Sequence, residues 1–106
     1  MSCLAVDIGN TSIALALCDG DRITRRARLS ADRKDRASID RVIARTLGKT
    51  CPEGSVLGSV VPARNRAWIA ALRRVLGEPP VVVTHRVRLG VKVAYPRPGA
   101  VGADRL

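Results

Sequence analysis

The first part of the chain alternates between short apolar segments and polar turns that carry glycine. Cys3–Val6 is a continuous apolar run, the pattern of a strand buried on both faces. It gives way to Asp7-Ile8-Gly9-Asn10-Thr11, which predicts a turn with an acid at the end of the strand. Across Ser12–Cys18, Ile13, Leu15 and Leu17 alternate with Ser12, Ala14 and Ala16, predicting a second strand. Asp19-Gly20 is a strong hairpin signal, and Arg22–Leu29 follows as a third strand with an arginine-rich, solvated face. The chain therefore opens with three antiparallel strands.

The spacing then changes. Ser30–Ala37 is polar and reads as a loop, with Ser38 as N-cap of a helix. That helix buries Ile39, Val42, Ile43, Thr46 and Leu47 and stops at Gly48. Ser55–Val61 predicts a buried strand closed by Pro62. A second helix over residues 65–76 has Trp68, Ala71, Leu72, Val75 and Leu76 on one stripe and Arg66, Arg73 and Arg74 opposite, ending at Gly77. Val81–Val83 is a short parallel strand, and Gly90–Tyr95 a further extended piece before Pro96 and Pro98. The order β-β-β-α-β-α-β predicts one α/β unit, a mixed sheet with helices packed on it.

Composition adds bounds. The 106 residues are one domain's worth. Hydrophobic residues make up 46% and charged ones 26%, an ordinary globular balance. No apolar run approaches the roughly 18 residues of a spanning helix. The start, Met1 to Asp7, lacks the basic segment of a signal peptide, so a cytoplasmic protein without a membrane role is expected. Cys3, Cys18 and Cys51 have no CxxC spacing and His85 is the sole histidine, so no zinc site can be assembled locally. The cysteines read as small hydrophobes in a reducing compartment.

The net charge of +10 comes from 19 Lys and Arg against 9 Asp and Glu, spread along the chain without a basic block. With Trp68 and Tyr95 as the only aromatics, there is little to stack on bases, and nucleic acid is not an expected partner. The same field would attract a small anionic substrate such as a nucleotide.

Three segments carry candidate chemistry. In Asp7–Thr11, Gly9 would let a phosphate approach the backbone, Asn10 and Thr11 offer donors, and the acceptor-only Asp7 could hold a hydrated Mg²⁺. The same residues also suit a plain hairpin turn. A strand-to-helix P-loop is absent, since GxxxxGK[ST] does not occur. Gly58-Ser59-Val60-Val61-Pro62 reads either as a core strand stopped by proline or as a ligand contact. Tyr95-x-x-Pro98 followed by Gly102-Ala103-Asp104-Arg105 crowds glycine, proline and an Asp-Arg pair together, as a surface ion pair or as a substrate clamp.

Taken together, AVDIGNTSIALAL at 5–17, GSVVP at 58–62 and LGVKVAYPRPGAVGADRL at 89–106 resemble the type III pantothenate kinases. These belong to the actin-like ATPase (acetate and sugar kinase) superfamily. The resemblance implies a ribonuclease H-like α/β domain, three antiparallel strands followed by α-β-α-β, as the N-terminal domain of such a kinase. It implies ATP-dependent phosphorylation of pantothenate to 4'-phosphopantothenate, the first step of coenzyme A biosynthesis. By that resemblance Asp7, Ile8, Gly9, Asn10, Thr11, Ser12, Ile13 and Ala14 would form the ATP-phosphate hairpin, with Asp7 organising Mg²⁺ through water. Tyr95, Gly102, Ala103, Asp104 and Arg105 would hold pantothenate, and Asp104 would accept the proton of its primary hydroxyl. A monovalent cation, K⁺ or NH₄⁺, and a homodimer in the complete protein are further implications. Family members continue into a second domain that is not in residues 1–106, so this chain alone is expected to be inactive. Two alternatives stay open: a non-enzymatic regulatory or nucleic-acid-associated module of the same fold, resembling an accessory transcription factor, and an actin-like domain acting on another substrate.

Overall fold

A computed structural model describes residues 2–83. Strands β1 (Ser2–Ile8), β2 (Ser12–Asp19) and β3 (Arg22–Ser30) are followed by helix α1 (Arg36–Leu47) and β4 (Gly54–Ser59). A single 3-10 turn (Pro62–Arg64) then leads into α2 (Asn65–Leu76) and β5 (Val81–Val83). This is the α/β order that the hydrophobic pattern predicts. The expected extended piece at Gly90–Tyr95 lies outside the described residues.

The five strands form one sheet in the order β3-β2-β1-β4-β5. Tight turns make β1–β2 and β2–β3 antiparallel, while β4 and β5 join through helical crossovers and run parallel to β1. Both crossovers travel the same way across the sheet, so right-handed connections lay both helices on one face. Packing agrees. Leu4, Val6, Ile8, Ile13, Leu15, Leu17 and Leu57 from the strands share one buried cluster with Ile39, Ile43, Leu47, Trp68 and Leu72 from the helices. The opposite face carries a smaller cluster of Cys3, Ala5, Ala16, Cys18, Val56 and Val83. Arg74 ties the two helices together, its Nη2 lying 2.6 Å from Asp40 Oδ1.

Local chemistry sets the ends of each element. Helix α1 begins earlier than Ser38 would allow, because Asp35 is the N-cap. Its Oδ2 accepts from the Ser38 amide at 3.0 Å and from the Ser38 hydroxyl at 2.6 Å. A carboxylate satisfies two donors there and opposes the positive end of the helix dipole, which a serine cap does not. Gly48 ends α1 with φ +59° and donates to Ala44 O. Arg25 Nη1 donates to Arg45 O beside it, and a Cβ on Gly48 would fall 2.7 Å from that same nitrogen. Thr46, placed on the apolar stripe, is buried with its hydroxyl donating back to Val42 O at 2.7 Å.

Strand β4 stops at Ser59 instead of continuing to Val61. The Val60 amide still donates to Ile8 O, but the Val61 amide turns to Ser59 Oγ at 3.0 Å. Pro62, with its fixed φ and no amide hydrogen, then opens the 3-10 turn. Val75 of the second apolar stripe proves exposed, whereas Trp68, Ala71 and Leu72 are buried.

Candidate functional site

Strand β1 runs through Asp7 and Ile8, so the turn to β2 is confined to Gly9-Asn10-Thr11. The strand alternation that sends Val6 and Ile8 towards the helices sends Asp7 to the other face. Asp7 is buried, with 5% exposure. Its neighbours across the ladder are Ala14 on β2 and Gly58 on β4, a methyl group and a hydrogen. Ala14 pairs in turn with Arg28 on β3, whose Nη1 donates to Ser12 Oγ at 3.1 Å. The carboxylate thus stands in a row of small residues, with a guanidinium two strands away reaching the start of β2.

The turn has an unusual hydrogen-bond arrangement. Four successive carbonyl oxygens are held, three of them from outside the turn. Arg64 Nη1 donates to Gly9 O at 3.1 Å and to Asn10 O at 3.2 Å. The Ala31 amide donates to Thr11 O, and the Gly9 amide to Ser12 O, each at 3.0 Å. In a trans peptide the carbonyl of one residue lies opposite the N–H of the next. Holding the carbonyls of Gly9 and Asn10 on the Arg64 side therefore turns the amides of Asn10 and Thr11 the other way. Among the described residues no backbone carbonyl accepts from either amide. Asn10 and Thr11 are exposed. Successive amides of this kind form an anion-binding concavity. Gly9 is buried without a positive φ, so the turn's shape alone does not demand glycine there.

The Gly58–Pro62 segment meets this turn from the side. Gly58 pairs with Asp7 and Ser59 with Ile8 in the parallel ladder. Beyond Pro62, the 3-10 turn delivers Arg64 to the hairpin. Among the described residues no group of three or more His, Cys, Asp or Glu could enclose a metal ion. No helix among the described residues is long and apolar enough to cross a membrane.

The sequence profile of the type III pantothenate kinases matches residues 3–106. The chain belongs to the type III pantothenate kinase family. It is 38% identical over 107 residues to the type III pantothenate kinase of Thermus thermophilus, covering 97% of this chain and 42% of that protein. Against the family member of Moorella thermoacetica it is 34% identical over 109 residues, covering 97% and 43%. The corresponding figures for Pelobacter propionicus are 30% over 109 residues, with the same two shares. The chain thus spans less than half the length of the type III pantothenate kinases it matches.

Of the residues singled out from the sequence, the structure brings Asp7 to Ala14 together as one hairpin and sets Gly58 and Ser59 beside it. Tyr95, Gly102, Ala103, Asp104 and Arg105 lie outside the described residues. Arg64, Arg28 and the Ala31 amide join the site only through the tertiary structure. An arginine two places after the proline that closes a strand is a visible signal. Its meaning depends on knowing that β4 ends beside the β1–β2 turn.

Proposed function

We propose that residues 1–106 supply one lobe of an ATP-dependent kinase that phosphorylates pantothenate, with the β1–β2 hairpin as its phosphate-binding element. The supporting observation is the turn itself. Its carbonyls are held by Arg64, Ala31 and Gly9, two amides face away from Arg64, and a carboxylate stands in the row behind them between Ala14 and Gly58. Family membership supplies the substrate class. The sheet order and the one-sided helices are in keeping with an actin-like ATPase lobe, in which a nucleotide lies between this domain and a second one.

In this reading Asp7, Ile8, Gly9, Asn10, Thr11, Ser12, Ile13 and Ala14 line the phosphates of ATP, the amides of Asn10 and Thr11 donating to phosphate oxygens. Asp7 would hold a hydrated Mg²⁺, which would supply neutralisation of phosphate charge. Tyr95 and Gly102–Arg105 hold pantothenate, and Arg105 orients it. The primary hydroxyl oxygen of pantothenate bonds to the γ-phosphorus as the bond from that phosphorus to the bridging β,γ-oxygen breaks. The hydroxyl proton passes to the Asp104 carboxylate, and ADP leaves. A monovalent cation, a homodimeric complete protein and a cytoplasmic setting complete the proposal. No residue of this chain is assigned to the monovalent cation.

The test is a coupled assay for pantothenate-dependent ADP release. Residues 1–106 by themselves turn over no pantothenate; joined to the remaining part of a family member they do. In that completed chain Asp104→Asn lowers kcat by about 10²–10⁴-fold, the usual worth of a general base, while KM for pantothenate moves little. Retention of more than about a tenth of kcat would remove Asp104 from that role.

A further inference from the structure

We infer that Arg64 is a positioning residue of the phosphate hairpin: by gripping the carbonyls of Gly9 and Asn10 it aims the amides of Asn10 and Thr11 at the anion. The inference rests on the hairpin being a phosphate site.

Three features single out Arg64. One guanidinium nitrogen reaches both carbonyls, at 3.1 and 3.2 Å, across a separation of more than fifty residues in the chain. The two carbonyls are consecutive, so the contact fixes two adjacent peptide planes, a tighter constraint than one bond to a loop. Arg64 is also the last residue of the 3-10 turn and lies directly before α2, where its backbone is fixed on both sides. Its own amide donates to Val61 O at 3.0 Å. The side chain is thus presented from a rigid support.

The chemistry follows from what an unheld turn would do. A tight turn of Gly-Asn-Thr can rotate its peptide planes, and each rotation exchanges an outward N–H for an outward C=O. An outward carbonyl repels a phosphate oxygen that an outward amide attracts. Holding both planes in advance removes that rearrangement from the cost of binding, and the fixed positive charge of Arg64 adds to the local field. Two properties of arginine are in play, donor geometry and charge, and they can be separated. Lysine retains the charge and carries three N–H donors on one nitrogen, so it can still bridge both carbonyls if its flexible stem places it there. Glutamine keeps an NH₂ group but is uncharged and shorter, so it does not span the distance from Arg64 to the turn.

The probe is inorganic tripolyphosphate, which carries the phosphate chain of ATP without its adenosine. Binding to the 106-residue chain is measured by titration calorimetry and located by amide chemical shifts. Wild type is expected to bind with the largest shifts at Asn10 and Thr11. Arg64→Ala should weaken binding by about tenfold or more, the worth of hydrogen bonds to a charged group, and should move the Asn10 and Thr11 amide shifts before any anion is added. Arg64→Lys should recover affinity only as far as it restores the wild-type, anion-free Asn10 and Thr11 shifts, and Arg64→Gln should resemble Arg64→Ala, with all three variants melting close to wild type. Unchanged affinity in Arg64→Ala, with wild type binding at the turn, would overturn the role of Arg64 and leave the phosphate site standing. Full recovery of affinity by Arg64→Lys while its anion-free Asn10 and Thr11 shifts stay as in Arg64→Ala would show a charge effect only, and also overturn it. Absence of wild-type shifts at the turn would overturn both the site and this role.

Discussion

The two faces of the sheet use the same strands for opposite ends. On the helix side β1 contributes Leu4, Val6 and Ile8, all with no exposure, and these meet Ile43, Trp68 and Leu72. On the other side the same strand contributes Cys3, Ala5 and Asp7, flanked by Cys18, Ala16 and Ala14. Large branched and aromatic side chains on one face give the area removed from water, and hence most of the stability. Small ones on the other leave room for the buried carboxylate of Asp7 between Ala14 and Gly58. A single alternating strand can therefore divide stability from chemistry residue by residue, and Asp7 sits between two core positions without belonging to the core they form.

This contrast can be broken in several ways. The largest effect concerns thiol reactivity. Burial pushes the Cys3 thiol up to about 12, with Cys18 beside it adding to the rise, and burial raises Cys18 as well. Cys51 is exposed. Near neutral pH the thiolate population of Cys3 lies on the order of a thousandfold below that of an ordinary thiol, so a thiol-specific reagent should label Cys51 quickly in the folded chain and Cys3 only after unfolding. Rapid native labelling of Cys3 or Cys18 would show that the small-residue face is open.

Next comes the helix-side core. Trp68→Ala should cost about 3–5 kcal/mol by chemical denaturation, a large part of what a domain this size has. A loss under about 1 kcal/mol would mean that this face does not carry the stability.

Ala14→Leu reverses the pattern. Ala14 is only half-buried, so stability should change by about 1 kcal/mol or less. Tripolyphosphate binding should weaken by about tenfold, because a branched side chain would stand beside Asp7. Equal effects on both quantities would erase the distinction between the faces.

The smallest effect tests the frame and leaves the site untouched. The Ser38 hydroxyl and amide, donating to its carboxylate, hold Asp35 below the usual carboxylate range. Its ionised form is favoured by folding, so its contribution is present above the ordinary carboxylate pKa and lost as pH falls through the lowered folded value. Asp35→Ala should lower Tm modestly at neutral pH, and the gap from wild type should close in acid. A gap that persists unchanged at low pH would contradict the cap.

Much of this frame can be read from the sequence because it depends on local chemistry. Helix α2 falls over Asn65–Leu76, where the apolar stripe and Gly77 put it, and the hairpin signalled by Asp19-Gly20 forms one residue later, with Gly20-Asp21 as its turn and Asp19 paired with Arg22. Boundaries fail where two local signals compete. Ser38 and Asp35 are both cap formers three residues apart, and the carboxylate wins. Val60 and Val61 look like strand, but the Ser59 hydroxyl captures the Val61 amide. The site is less legible for a different reason. Asp7 to Ala14 can be seen as a hairpin, but Gly58 beside Asp7 and Arg64 beneath the turn depend on the parallel register of β1 and β4. Hydrophobic spacing predicts that strand β4 exists, without its register against β1.

The most direct test of the phosphate hairpin is an amide chemical-shift map of the 106-residue chain as Mg·ATP is added at moderate salt. The largest shifts should fall on Gly9–Ala14, deepen when Mg²⁺ joins ATP in wild type, and lose this Mg²⁺ increment in Asp7→Asn. Shifts scattered over the arginine-bearing surfaces of β3 and α2, with none at Gly9–Thr11, would contradict it and leave only a general attraction of a basic protein for an anion.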